Sequence, residues 1–185
     1  MREHVLLLPG WQNSGPAHWQ SLWEAKYGYT RVQQHDWMHP LRGDWIVQLE
    51  EYVLARSEPV VLAAHSLGCL LVAAWAACSR NTHKVRAALL VAPGDVEREE
   101  LQPVLKSWSP VTHARLPFPA TLLASHNDPY CSFERAQFFA NQWGAHCIDY
   151  GMAGHINADS GLGDWPQGHA LITQLLEIKD SRHGN

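Results

Sequence analysis

Residues of the three types that acyl-transfer enzymes use occur along this sequence in the order serine, aspartate, histidine. Ser66 stands between the small residues Ala64 and Gly68, where a run that predicts a buried strand passes directly into a run that predicts a helix. This pattern is typical of a nucleophile elbow, a tight turn that directs the serine hydroxyl out of the sheet. Ser66 would alternatively be a simple helix N-cap, but the small flanking residues favour a nucleophile.

A nucleophilic serine needs an imidazole base and a carboxylate that orients the base. Asp128 is the only carboxylate at the end of the predicted strand at residues 120–125. The alternative is that Asp128 simply forms an Asp-Pro turn or a helix entry. His155 follows the next predicted strand in a glycine-containing loop, and His126 and His169 are weaker candidates. The sequence therefore predicts Ser66, Asp128 and His155 as the catalytic residues.

The negative oxygen that forms during acyl transfer needs hydrogen-bond donors. One expected donor is the backbone N–H of Leu67, which follows the nucleophile, and the other is the N–H of Trp11, in the loop after the first predicted strand. His65 and Trp108 are predicted to line the substrate pocket. We therefore expect an oxyanion hole made of backbone groups from two separate loops.

Neither a cofactor nor a metal ion is predicted. Gly10 and Gly15 have the spacing of a phosphate loop, but Pro-Ala follows where that motif requires Lys and Ser or Thr. His35 and His39 are four residues apart, yet a zinc site needs three or four ligands and Pro40 interrupts any helix there.

The elements that must position these residues alternate between short apolar runs and longer amphipathic runs, which predicts an α/β fold with a mostly parallel sheet. The predicted strands cover residues 5–8, 31–35, 60–64, 87–92, 120–125 and 147–150. The predicted helices cover residues 17–26, 44–56, 67–79, 133–143 and 168–179. We expect a three-layer sandwich of about six mostly parallel strands in the order 2-1-3-4-5-6, with helices on both faces, so that the loops after strands one and three share one crevice.

The long connection at residues 94–117 is charged at its start and rich in proline. It predicts a short helix and irregular chain near the mouth of the site, and it is too short for a separate cap domain. We expect a single domain over residues 1–180, with a frayed polar tail at residues 181–185.

Charge and composition restrict the partners. The net charge of −4 gives no general attraction to nucleic acid or to an anionic membrane, so a small acyl substrate is the expected partner.

The apolar run at residues 5–8 is too short for a signal peptide, and no run approaches the length that spans a bilayer. The cysteines lack C-x-x-C spacing, and Cys69 and Cys78 lie in an apolar helical run, which predicts buried thiols and a cytoplasmic location.

Taken together, these residues resemble the small serine-hydrolase family that contains the retinoblastoma-binding hydrolase and bacterial YdeN-like proteins. The similarity spans nearly the whole chain and includes Pro9-Gly10, Trp19 and Trp23, Gln34 to Pro40, His65 to Gly68, Asn127 to Pro129 and Gly154-His155. The resemblance implies a minimal α/β-hydrolase core with little or no lid and esterase-like activity. It also supports the same three catalytic residues.

One member of that family is named for binding a tumour suppressor through an L-x-C-x-E segment. The corresponding stretch here, which runs from Leu67 to Leu71, lacks the acidic residue and lies in a predicted buried helix. We therefore do not expect this chain to bind that partner.

The sequence predicts a serine hydrolase, of carboxylesterase type, that cleaves a small carboxylic ester, thioester or amide through an acyl-enzyme on Ser66. The short connection at residues 94–117 suggests an open pocket for short acyl groups. The alternative is a non-catalytic protein-binding module on the same fold, with a vestigial triad.

Overall fold

A computed structural model describes residues 4–178 of the chain. Its six strands are β1 (Val5–Leu8), β2 (Thr30–Arg31), β3 (Val60–His65), β4 (Val85–Val91), β5 (Ala120–Ala124) and β6 (His146–Asp149). Its six α-helices are α1 (Trp19–Tyr27), α2 (Arg42–Leu54), α3 (Leu67–Cys78), α4 (Gln102–Leu105), α5 (Phe133–Trp143) and α6 (Pro166–Leu176). The alternation of strand and helix follows the apolar patterning of the sequence.

All six strands form one parallel sheet in the order β2-β1-β3-β4-β5-β6, which confirms the predicted topology. Leu8 pairs with Ala64 across β1 and β3, and His65 pairs with Val91 across β3 and β4. The carboxyl ends of the central strands are therefore level, and the loops that follow them meet at one edge of the sheet.

Helices cover both faces of the sheet, and the strand side chains alternate between them. In β1, Leu6 and Leu8 pack in a core with residues of α2, α3 and α5, whereas Val5 and Leu7 pack in a second core with residues of α1 and α6. β1 and β3 are buried at every residue, which explains why they are continuous apolar runs. The structure confirms the three-layer α/β sandwich.

The strand predicted at residues 31–35 is shorter than expected. Its last sheet bond runs from the Val32 N–H to the carbonyl oxygen of Leu7 (2.9 Å). The chain then turns back over the loop after β1, where the N–H of Gln12 donates to the carbonyl oxygen of Trp37 (3.0 Å). This segment therefore supports a loop of the site instead of extending the sheet.

The connection at residues 94–117 contains α4, flanked by two short 3₁₀ turns, Glu99–Leu101 and Lys106–Trp108. It is thus a short helix within irregular chain, as the sequence predicts. The expected tail at residues 181–185 lies outside the described residues.

The four cysteines are free thiols. Cys69 is buried as predicted, but the prediction for Cys78 is wrong, because this residue is the last of α3 and its side chain is exposed. No helix within residues 4–178 has the length and apolar character needed to cross a membrane.

Candidate active site

Ser66 lies at the junction of β3 and α3 with a backbone conformation that side chains seldom adopt. Its φ is 54° and its ψ is −120°. Such a conformation costs about 1–3 kcal/mol and persists only where the surroundings enforce it. The turn is held by the strand before it and the helix after it. It is also held by a hydrogen bond from the Ser66 N–H to the carbonyl oxygen of Val91 (3.0 Å). The backbone has the form of the predicted nucleophile elbow.

Two glycines allow the chain to pack closely around this turn. A Cβ on Gly68 would lie 2.3 Å from the carbonyl oxygen of Leu8, so α3 approaches β1 at a distance that only glycine permits. A Cβ on Gly10 would lie 2.8 Å from Cβ of Ser66 and 3.2 Å from the backbone nitrogen of Leu67. The loop after β1 is therefore packed directly against the elbow.

Ser66, His155 and Asp128 form one chain of hydrogen bonds. Nδ1 of His155 lies 2.8 Å and 3.0 Å from the two carboxylate oxygens of Asp128, and Nε2 of His155 lies 2.9 Å from Oγ of Ser66. Because an ionised carboxylate only accepts hydrogen bonds, the ring carries its proton on Nδ1, and Nε2 accepts the serine hydroxyl. The structure brings the three predicted residues together in an arrangement that can remove the proton of Ser66.

This hydrogen-bonded group is largely shielded from water. The side chains of Asp128 and His155 are 3% and 8% exposed. The carboxylate also accepts the backbone N–H of Tyr130 (2.8 Å), which fixes its orientation toward the ring. Low exposure strengthens the interaction between the carboxylate and the imidazole, because little water competes for either partner.

The loops that carry Asp128 and His155 are joined by side chains that the sequence analysis missed. Asn127 accepts the hydroxyl hydrogen of Ser125 (2.8 Å) and the N–H of Gly154 (2.7 Å) on its side-chain oxygen. The Ser125 hydroxyl oxygen in turn accepts the N–H of Ala153 (2.9 Å). These bonds tie the end of β5 to the loop after β6. The one available signal was the position of Asn127 beside the candidate acid.

The backbone N–H groups of Trp11 and Leu67 lie on the two loops that meet at the elbow. Within the described residues, neither N–H donates a hydrogen bond. The Leu67 nitrogen lies at the start of α3, where the first amide groups have no partner within the helix and carry partial positive charge. Trp11 and Leu67 both line the cavity beside Ser66, so their N–H groups remain available to a bound molecule.

A cavity of about 300 Å³ opens beside Ser66 and His155. Its polar wall comes from the loop after β1 and includes Gln12 and Asn13. Its apolar wall comes from the connection at residues 94–117 and consists of Val96, Leu101 and Leu105. The long connection thus covers one side of the cavity, as its predicted place near the mouth of the site suggested.

The two predicted pocket residues have different places. His65 lines the cavity, and it also donates a hydrogen bond from Nε2 to the backbone carbonyl oxygen of His155 (2.8 Å), which holds the loop of the candidate base. The prediction for Trp108 is wrong. This residue is buried in the core against Trp45, with its indole N–H bound to the carbonyl oxygen of Pro40 (2.9 Å), because its ring fills the space beneath α4 and α2 rather than the cavity.

A second histidine of the cavity wall, His18, was not predicted. Burial, with smaller contributions from nearby His155 and Arg31, lowers the pKa of His18 to about 3. Burial likewise lowers the pKa of His65 well below its usual range. Both rings are therefore neutral at physiological pH, and they place no fixed positive charge next to His155.

Within residues 4–178, no group of three or more histidine, cysteine, aspartate or glutamate side chains is arranged to hold a metal ion. His35 and His39 have different partners: the ring of His35 is bound to Gln48 and that of His39 to Asp36.

The sheet topology and the elbow with its hydrogen-bonded serine, histidine and aspartate define an α/β-hydrolase type of protein. Residues 5–174 match the sequence model of the family described as Serine hydrolase, so the chain belongs to that family. No protein with a curated description matches the sequence.

Solved structures show the same relationship. The chain is 32% identical to a protein from Pectobacterium atrosepticum described as a YdeN-like hydrolase, over 94% of this chain and 90% of that one, with a TM-score of 0.81. It shares its fold with the ydeN gene product of Bacillus subtilis, at 19% identity over 94% of this chain and 98% of that one, with a TM-score of 0.73. An esterase from Rhodococcus shares the fold at 13% identity, over 95% of this chain and 90% of that one, with a TM-score of 0.66.

Proposed function

We propose that this serine hydrolase cleaves small carboxylic esters, or the related thioesters and amides, through an acyl-enzyme on Ser66. The observation that carries the proposal is the continuous chain of hydrogen bonds from the Ser66 hydroxyl through His155 to Asp128. A vestigial site would have no need to keep these three side chains, from three separate loops, within hydrogen-bond distance of one another. We therefore favour catalysis over a purely protein-binding role.

In the first half of the reaction, Oγ of Ser66 attacks the carbonyl carbon of the substrate while Nε2 of His155 takes the hydroxyl proton. Asp128 holds the ring and stabilises the imidazolium that forms. The carbonyl oxygen becomes negative and accepts hydrogen bonds from the N–H groups of Trp11 and Leu67. When the bond to the leaving group breaks, the leaving oxygen takes the proton from His155, and the acyl group stays on Ser66.

In the second half, His155 removes a proton from a water molecule, which attacks the acyl carbon. The bond between that carbon and Oγ of Ser66 breaks, and the serine oxygen takes the proton back from His155. The products are a carboxylic acid and the original enzyme. Each proton is accounted for by His155 and the substrates, and the cycle needs no cofactor.

The size and walls of the cavity favour short acyl chains. A volume of about 300 Å³ is at the lower end of the range for small-molecule pockets. Val96, Leu101 and Leu105 offer apolar contacts to an acyl chain on one side only. A long lipid chain would extend beyond these residues into water.

The direct test is a series of p-nitrophenyl esters from acetate through butanoate and octanoate to dodecanoate. We expect kcat/KM to be highest for the acetate or butanoate, and Ser66→Ala to lower it by about 10⁴-fold or more. A folded wild-type protein that hydrolyses none of these esters would overturn the proposal and favour the protein-binding alternative.

A further inference from the structure

A second groove lies on the other side of His155 from the cavity already described. It has a volume of about 400 Å³ and shares Tyr130, His155 and Asn157 with the first cavity. The rest of its wall comes from the loops after β5 and β6, and includes Met152 and Asp159. His155 therefore stands at the boundary between two spaces.

The reaction proposed above places different parts of the substrate on different sides of this boundary. The carbonyl oxygen must lie near Trp11 and Leu67, which border only the first cavity. The oxygen of the leaving group must lie within hydrogen-bond distance of Nε2 of His155 to take its proton. If the acyl chain fills the first cavity, the carbon atoms attached to the leaving oxygen pass along His155 toward the second groove.

The wall of the second groove is suited to hydroxyl groups. The side-chain oxygens of Asn127 and Asn157 accept hydrogen bonds from neighbouring groups. Within the described part of the chain, nothing binds the side-chain N–H groups of these two asparagines or the carboxylate of Asp159. Amide donors and a carboxylate acceptor together match a group that both accepts and donates, as a hydroxyl does. Tyr130, which is 46% exposed, adds a ring face at the boundary.

The same wall disfavours a charged leaving group. Among the described residues that line the groove there is no lysine or arginine, so phosphate groups would meet only the negative charge of Asp159. An ammonium group would be attracted by the Asp159 carboxylate, but the two amide donors would then face a group that cannot accept their hydrogen bonds. A neutral, hydrogen-bonding alcohol is the class of molecule that these side chains fit.

We propose that the groove bounded by Tyr130, Asn157 and Asp159 binds the leaving group of the substrate, and that this leaving group is a polyhydroxylated alcohol of the glycerol or sugar type. The proposal rests on the proposed acyl-enzyme mechanism. By microscopic reversibility, an alcohol that binds in this groove can also attack the acyl-enzyme in place of water. Its hydroxyl proton then goes to His155 and its oxygen bonds to the acyl carbon. The bond between that carbon and Oγ of Ser66 breaks, and Oγ takes the proton back from His155.

The test compares glycerol and 1-propanol as acceptors for the butanoyl-enzyme formed from p-nitrophenyl butanoate. The measured quantity is the ratio of butanoyl ester to butanoic acid at equal alcohol concentrations, divided by two for glycerol because it has two primary hydroxyls. We expect glycerol to exceed 1-propanol by about fivefold or more, since the net contribution of one typical hydrogen bond is a factor of about this size. Asp159→Ala should reduce that preference toward one.

Asp44→Asn is the matched control, because Asp44 is an exposed carboxylate in the first turn of α2 that lines neither space. It should keep the full preference for glycerol. Thermal unfolding of Asp159→Ala verifies that the variant is folded; this residue is exposed, so we expect a melting temperature near that of the wild type.

Two failures are distinguishable. In the first, p-nitrophenol and butanoic acid are released normally, but 1-propanol captures the acyl group as efficiently as glycerol does, or Asp159→Ala keeps the preference for glycerol. The leaving-group proposal is then wrong, and the proposed mechanism stands. If folded protein releases no p-nitrophenol, there is no acyl-enzyme, and both proposals are wrong.

Discussion

The nucleophile and its two partners are held in place by different means. Ser66 is fixed by backbone: a buried strand, a helix that begins at the next residue, and two glycines that allow neighbouring chain to approach closely. Asp128 and His155 lie on loops that are fixed largely by side-chain hydrogen bonds, among them those from Asn127 to Ser125 and Gly154 and the one from His65 to His155. One half of the site depends on regular structure, and the other half depends on a few hydrogen bonds.

This difference has a consequence for mutation. A change at the elbow should affect folding first, because the close contacts there belong to the packing of α3 against β1. A change in the linked loops should affect the alignment of His155 first, because the sheet would remain intact without those bonds.

The largest expected effect is on catalysis and comes from Asp128→Asn. The amide keeps the shape of the side chain but can donate a hydrogen bond to Nδ1, which leaves the proton of His155 on Nε2 and prevents that atom from accepting the Ser66 proton. We expect kcat/KM for p-nitrophenyl butanoate to fall by about 10⁴-fold, or about 5 kcal/mol in the activation barrier. Steady-state kinetics measures this, and a loss of less than tenfold would show that Asp128 does not orient the base.

Gly68→Ala should have the largest effect on stability. Its Cβ would lie 2.3 Å from the carbonyl oxygen of Leu8, a backbone atom that cannot move without disturbing β1. We expect the free energy of unfolding to fall by about 3 kcal/mol or more, measured by urea denaturation.

Gly43→Ala is the control for that substitution. Gly43 is also helical, in α2, but nothing lies within 4 Å of a Cβ added there. Its replacement should stabilise the protein slightly, by up to about 1 kcal/mol, because alanine is the better helix former. Equal losses in the two variants would mean that the close contact at the elbow is unimportant.

Asn127→Ala tests the other half of the site. It leaves the Ser125 hydroxyl and the Gly154 N–H without their partner, which should cost about 1–3 kcal/mol of stability. We expect kcat to fall by roughly ten- to a hundredfold as His155 loses its alignment with Ser66. The exposed Asn141→Ala in α5 should change neither quantity. Unchanged kcat in Asn127→Ala would show that the loops align without this link.

A further effect is gradual and concerns acid. His18 and His65 are neutral in the fold, with pKa values held below their usual range by burial, whereas the unfolded chain binds protons at both below about pH 6.5. The free energy of unfolding therefore falls as the pH drops below about 6.5. Each histidine contributes up to about 1.4 kcal/mol per pH unit to this loss, and the contribution of His18 continues to a pH of about 3.

The variant His18→Asn isolates one of these contributions. Asparagine keeps the helix N-cap that the His18 side chain provides to Gln20, but it does not titrate. Urea denaturation between pH 7.5 and 4.5 should show a shallower loss of stability for the variant than for the wild type. Parallel curves would contradict a neutral, buried His18.

The same difference between the two halves explains what the sequence analysis could and could not predict. The elbow was predictable because the strand, the helix and the small residues are continuous in sequence. Asp128 and His155 were predictable because the chain order and the strand ends restrict where an acid and a base can lie.

The support of these residues was not predictable in the same way. The link through Asn127 joins residues 27 positions apart, and it depends on how two irregular loops meet. Trp108 was misplaced because a tryptophan in a long connection gives no sign of which side it faces, and its ring is in fact buried in the core. The second strand was overextended because no glycine or proline follows Val32 closely enough to mark the point at which the chain leaves the sheet to hold Gln12.

The central claim is that the hydroxyl of Ser66 is activated by its neighbours. It is tested most directly by incubating the pure protein with a fluorophosphonate probe, measuring the intact mass, and mapping the modified peptide. We expect one adduct per chain, located on Ser66 and absent from Ser66→Ala. A folded protein that forms no adduct, or forms one on another residue, would contradict it.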